Sequence, residues 1–342
     1  MKKNVLALIA IGFFLLSFQQ AQKGLLEIPN LFPKPSYNFK NNPLDSNKIK
    51  LGRLLFYDGI LSKDNSISCS TCHSPFSAFA HNDHDLSHGI DDKIGVRNAP
   101  ALFNLAWQSS FMWDGAINHM DMQALAPISS TTEMGENIAN VVVKLQKDSF
   151  YRNKFYQAYN DSIVTGEHVL KALSQFQLTL VSANSKYDKV KRGENEFTDQ
   201  ELKGYKLFQK NCNSCHQEPL FSNYSFGQNY IAVDSVLKDF GKGSITKLMK
   251  DSLLFKIPSL RNLKYSYPYM HDGRFYTLNK VLNHYISKET TLKFKKDGLK
   301  KISLSPNDKV DLISFLLTLN DKEFVFNNKH RFPRELLIKW KE

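Results

Sequence analysis

The sequence predicts a mostly α-helical chain made of two modules related by internal duplication, with long irregular loops. Three observations predict it. Apolar residues recur at helical spacing in several stretches, and strand-like alternation is scarce. The pattern Gly52-x-x-x-Phe56 precedes one C-x-x-C-H pentapeptide, and Gly204-x-x-x-Phe208 precedes a second. After these pentapeptides, P-A-L-F-N-L-A-W-Q-S-S-F-M-W-D-G (100–115) matches P-S-L-R-N-L-K-Y-S-Y-P-Y-M-H-D-G (258–273) without a gap, with Pro, Leu, Asn, Leu, Met, Asp and Gly agreeing. The length of 342 residues fits two domains at roughly 150 residues each. A hydrophobic share of 42%, with 12 prolines and 16 glycines, excludes disorder, collagen and low complexity.

Taken in order, the chain opens with Met1-Lys2-Lys3 and an apolar run over 5–18. That run is too short for the ~20 residues a bilayer demands. A basic start before a short apolar stretch predicts a signal peptide over 1–21, cleaved near Ala21, and hence export to the periplasm. No cysteine stands there for a lipid anchor, and no later stretch is apolar enough to span a membrane. Pro29, Pro33, Pro35 and Pro43 mark an extended lead-in. A helix is expected over 46–57, capped by Ser46 or Asn47. Helical periodicity runs over 132–159 through Ile138, Val142, Leu145, Phe150, Phe155 and Tyr159. It recurs over 167–181 through Val169, Leu173, Phe176 and Leu180. Residues 182–198 are polar and read as a linker. Thr198-Asp199-Gln200-Glu201 opens another helix, and Ser305-Pro306-Asn307-Asp308 opens one reaching about residue 319. The expected division is a first module over 22–190 and a second over 191–342.

Chemistry enters with the cysteines. The chain has four, Cys69, Cys72, Cys212 and Cys215, each in a C-x-x-C pair followed by His73 or His216. None is left for a structural disulfide or a lone catalytic thiol. In C-x-x-C-H the two thiols add to haem vinyl groups, and the histidine becomes the proximal iron ligand. A zinc site needs no histidine directly after each pair, and a thioredoxin-like redox pair calls for one copy in a βαβ setting. The reading is two cytochrome c-like haem domains carrying two covalently bound haem c groups. The repeat, continued without a gap, sets Tyr285 opposite Pro127. A phenolate can bind iron and a proline cannot, so the second iron is expected to be capped and the first open. The formal charge of +12 suits acidic or neutral partners. The 25 Phe and 14 Tyr exceed what a basic nucleic-acid arm needs, and no nucleic-acid partner is expected.

The order C-S-T-C-H, R-N-A-P, W-D-G, Q-A-L-A-P-I, E-M-G, then L-F-x-x-x-C-x-x-C-H, P-S-L-R-N, P-Y-M-H-D-G and H-Y resembles the bacterial di-haem cytochrome c peroxidase and MauG family over about residues 46–320. The resemblance implies a peroxide site at the N-terminal haem and an electron relay at the C-terminal one. It makes Glu133 of E-M-G the acid–base carboxylate for H2O2, where the residue alone reads as a helix N-terminal glutamate. It places Gln123 and Pro127 on the distal face and Trp113 between the haems; otherwise Gln123 is a surface amide and Trp113 a core residue. It makes Tyr285 the second axial ligand of the C-terminal haem, with Met270 as the alternative, and His271 a supporting residue. It implies one calcium ion between the domains, held by Asn98 and the carbonyls of Ser266 and Pro268; a structural asparagine before Pro100 is the equal rival.

Two departures from the family pattern stand out. The arginine expected after W-D-G is Ala116. His81, His84 and His88 lie in the loop where some relatives carry a removable distal histidine, but His88 is out of register with it. The resemblance thus implies a periplasmic peroxidase that reduces H2O2 to water with electrons from a small cytochrome or cupredoxin. A MauG-like peroxide-dependent oxidase of a protein or organic substrate is the alternative. A non-catalytic di-haem carrier is the reading of another class. A homodimer is common in the family, though no interface signature is visible.

Overall fold

The computed structural model describes residues 24–290, 293 and 301–339; the expected signal peptide lies outside them. Seven helices carry the architecture: α1 (Ser46–Tyr57), α2 (Ile138–Lys147), α3 (Ser149–Tyr159), α4 (Gly166–Leu178), α5 (Asp199–Asn211), α6 (Leu278–Ile286) and α7 (Pro306–Leu317). Among the described residues the one sheet pairs β1 (Phe226–Gly227) antiparallel with β2 (Phe255–Lys256), Phe226 opposite Lys256. None of the described helices is long and apolar enough to cross a membrane.

The duplication is written into the backbone. In the first module α1 crosses α4 at Gly52, where an added Cβ would lie 1.9 Å from the carbonyl oxygen of Ala172. In the second, α5 crosses α7 at Gly204, where it would lie 1.9 Å from that of Asp311. Four residues on, Phe56 meets Phe176 and Phe208 meets Phe315, both at 5.2 Å between ring centroids. The G-x-x-x-F pattern is therefore a helix-crossing signature: glycine brings the backbones together and phenylalanine fills the space beside them. Thr179 and Thr318 close α4 and α7 alike, each hydroxyl donating at 2.6 Å to the carbonyl of Phe176 or Phe315. The paired loops share left-handed residues: Asn104 and Asn262, Met112 and Met270, Gly115 and Gly273.

Three local expectations are corrected. Asp45, not Ser46 or Asn47, caps α1, its carboxylate accepting from the amides of Asn47 and Lys48. The 132–159 stretch is two helices, because Asp148 turns out of helical geometry and accepts from the amides of Phe150 and Tyr151 to start α3. The polar 182–198 stretch is more than a linker: it holds a short helix, Lys186–Lys191, that buries Tyr187 and Asp188. Asp188 can be buried because Arg261, itself fully buried, donates to both its oxygens at 2.7 and 2.8 Å.

Apolar burial is organised in two clusters. One surrounds Phe56, Phe79, Phe155 and Phe176. The other surrounds Phe208, Phe221, Phe315 and Tyr187. The end of the chain returns to the first cluster through Phe324, Val325 and Leu336, and Lys339 pairs with Asp58 at 2.8 Å.

Candidate functional site

A cavity of about 870 Å³ runs between the two clusters, walled by both cysteine–histidine motifs. Its chemistry can be tested against the haem groups that the sequence implies. His73 Nδ1 donates to the carbonyl of Phe79 at 2.8 Å, and His216 Nδ1 donates to the carbonyls of Pro258 at 3.0 Å and Phe221 at 3.3 Å. Phe79 and Phe221 both adopt positive φ. These bonds fix the tautomer and leave each Nε2 lone pair free for iron. Burial lowers both imidazole pKa values to about 4, so both rings stay neutral, as ligation requires.

The four cysteines form no disulfide. Burial pushes the Cys69 and Cys212 thiols up to about 12 and Cys72 to about 11. Among the described residues no group of three His, Cys, Asp or Glu is arranged to hold a metal ion by itself. The Tyr224 hydroxyl and His271 Nδ1 are buried on the cavity wall without a hydrogen-bond partner, which suits an occupant with polar groups. The residues fit two haems.

Glu133, Gln123 and Pro127 line the same cavity as His73. The turn bearing Glu133 is clamped from behind: the Ile90 amide donates to the Glu133 carbonyl at 2.8 Å. A Cβ at Gly89 would sit 2.5 Å from the Glu133 Cα, so only glycine allows this approach. Burial raises the Glu133 carboxyl above the ordinary glutamate range. Gln123 is a cavity residue rather than a surface amide. His81, His84 and His88 are not among the residues lining the cavity. His81 is buried, His84 stacks on His88 at 4.4 Å, and His88 Nδ1 lies 3.2 Å from Asp92.

On the other side, Tyr285 of α6 and Met270 both line the cavity. Burial, then the Cys212 and Cys215 sulfurs, push the Tyr285 phenol pKa well up, which places the ring beside the second attachment motif. Met270 Sδ lies 3.9 Å from the Asn229 amide. Trp113 bridges the modules: its indole donates to the Asn98 carbonyl at 2.9 Å, and its own carbonyl accepts from the Lys256 amide at 2.7 Å. Asn98, Ser266 and Pro268 all reach this cavity. The Asn98 side-chain NH2 donates to the Asp85 carbonyl at 3.0 Å, which leaves its Oδ1 as the hard oxygen a cation could use.

Two features escape a reading of the sequence alone. The cation that Ala116 fails to supply comes from Arg97, which donates to Asp114 at 2.6 Å and to Asp239 of the second module at 2.6 and 2.8 Å. In the second module Arg274, opposite Ala116 in the repeat, pairs with Asp272 directly. The other is Lys256, a cavity-lining residue whose ammonium donates to Gln108 and Ser110 of the first module.

Two such motifs, two neutral imidazoles held by backbone carbonyls, and one shared cavity define a c-type cytochrome with two covalently attached haems. The match with the di-haem cytochrome c peroxidase model covers residues 46–196, and a cytochrome c model covers 201–320. The methylamine utilization protein MauG of Methylophilus methylotrophus is 34% identical over 301 residues, covering 85% of this chain and 87% of that protein. The cytochrome c551 peroxidase of Nitrosomonas europaea is 32% identical over 266 residues, covering 76% of this chain and 79% of its own. A solved MauG-like protein associated with microbial copper homeostasis superposes with a TM-score of 0.80 at 28% identity, covering 90% of this chain and 98% of that one. The chain belongs to the di-haem cytochrome c peroxidase and MauG family, and it is a di-haem oxidoreductase of the peroxidase class.

Proposed function

We propose that the chain reduces hydrogen peroxide to water in the first module, with electrons delivered by a small redox protein through the second. The observation that carries this reading is the asymmetry of the cavity wall. A half-buried carboxyl, an amide and a proline stand in the first module, and a phenol stands opposite that proline in the second. The haem iron, when bound, supplies the peroxide-binding position and the path for two electrons. Cys69 and Cys72 would tether the first haem and Cys212 and Cys215 the second, and His73 and His216 would hold the irons. Glu133 takes the proton from one peroxide oxygen and returns it to the departing oxygen. Gln123 would orient the peroxide by hydrogen bonding, and Pro127, which has no donor atom for iron, would leave room for it. Tyr285 would offer its phenolate oxygen to the second haem. Trp113, hydrogen-bonded to a carbonyl beside the junction, gives the electron an aromatic step between modules. Two electrons and two protons per H2O2 yield two waters. The Asn98 Oδ1 and the carbonyls of Ser266 and Pro268 are the proposed calcium ligands.

The basic start and short apolar run support export to the periplasm, and the +12 charge suits an acidic electron donor. A MauG-like oxidation of a protein or organic substrate is the second reading, favoured by Tyr285: an anionic phenolate stabilises ferric iron where methionine would raise the potential. Peroxide turnover with a reduced acidic cytochrome c separates the two. Rapid, saturable oxidation of the cytochrome supports the peroxidase. Its absence, in a protein that still reacts with peroxide, moves the assignment to substrate oxidation.

A further inference from the structure

Lys256 ends β2 at the junction of the modules. Its side chain leaves the second module and enters the first, donating to Gln108 Oε1 at 2.6 Å and to the Ser110 carbonyl at 2.9 Å. Both acceptors are neutral. The carboxylate that bears on it electrostatically is Asp114, and both Asp114 oxygens are already engaged, Oδ2 by Arg97 at 2.6 Å and Oδ1 by the Ala116 amide at 3.0 Å. Desolvation pushes the Lys256 pKa down to about 7. A half-buried ammonium that donates only to neutral acceptors and shares its nearby carboxylate with Arg97 is under-compensated, and an anion in the cavity would complete its charge balance.

The duplication shows that the module fold does not require this cation. The ungapped repeat, read two residues towards the N terminus, sets Lys256 opposite Asn98, a neutral amide in the same kind of loop. The position therefore serves the cavity rather than the backbone. Haem c brings carboxylates into that cavity, and Lys256 and Gln108 both line it.

We propose that Lys256 is the counter-charge for a haem carboxylate at the junction of the modules, and that it holds the reduction potential of that haem up. A fixed positive charge near the ring favours the added electron, so its removal lowers the potential. The inference rests on the two covalent haems and not on peroxide turnover.

The test is a spectroelectrochemical titration of the holoprotein and its Lys256→Gln, Lys256→Met and Lys256→Arg variants, each first confirmed to carry two haems. Gln keeps a donor for the Ser110 carbonyl and is the mildest neutral change. The expected result is that at least one midpoint falls in Gln and Met and is restored in Arg, with the propionate bending band in resonance Raman shifting in Gln and Met alone. Midpoints unmoved in the neutral variants overturn the proposal. So does an equal fall in Arg, which would mean that the side chain only ties down the Gln108–Ser110 loop.

Discussion

Burial decides what Glu133 can do. A carboxyl partly withdrawn from water holds its proton more tightly, and its folded-state pKa rises. That is the property an acid–base group needs when it must accept and return a proton near neutral pH. Glu133→Gln preserves shape and removes the titration. We expect it to keep both haems and to lose peroxide reactivity by roughly 10²–10⁴-fold, read by stopped-flow absorbance; near-normal reactivity would falsify the acid–base assignment. How much of the site was legible varies residue by residue. The haem-attachment residues follow from covalent chemistry that admits few alternatives. Glu133, by contrast, reads as an ordinary helix-start glutamate until its motif is set among the others. Lys256 and Arg97 carry no local signal, because their roles depend on partners in the other module, Arg97 on Asp239 and Lys256 on Gln108.

At the scale of elements, close helix crossings and the buried Arg261–Asp188 ion pair hold the modules. Gly204 faces the backbone of α7, not the tip of a flexible side chain, so Gly204→Ala cannot be relieved by a rotamer change. The expected loss is about 1–3 kcal/mol, the cost of overpacking, measured by denaturant unfolding of the holoprotein. A melt unchanged by the substitution would show that α5 and α7 can slide apart. Burial alone would raise the Asp188 carboxyl, but the Arg261 guanidinium outweighs it and the net shift is downward. A carboxylate with a depressed folded pKa stabilises the fold above its unfolded value of about 3.9, and that contribution is lost as pH falls through the folded value. Arg261→Met should therefore cost about 3–5 kcal/mol at neutral pH by stranding the carboxylate, and the penalty should shrink in acid, as thermal melts between neutral and acidic pH would show. The starts of α5 and α7 were visible in their capping residues and the span of α1 in its apolar spacing, although its cap is Asp45. The break at Asp148 and the helix inside 182–198 were not: both depend on polar side chains satisfied by partners that a one-dimensional pattern does not locate.

For the whole molecule the governing fact is broken symmetry. The two modules repeat one another down to threonine caps and left-handed asparagines, then diverge where Pro127 stands opposite Tyr285 and Trp113 opposite His271. A duplicated carrier that needed two equivalent haems would have no physical reason to place a non-ligating ring on one side and a phenol on the other. An enzyme that must bind peroxide at one iron and pass electrons through the other needs that inequality. The as-isolated ferric protein should then give one high-spin and one low-spin signal in electron paramagnetic resonance, with H2O2 abolishing the high-spin one. Tyr285→Phe should change the low-spin signal alone, and an unchanged spectrum would transfer the ligand role to Met270. Two low-spin signals that persist after partial reduction would mean that a side chain closes the first iron as well. His81, His84 and His88 do not line the cavity, although Ala80 and Ser87 beside them do, and substituting each histidine in turn would identify the closing residue.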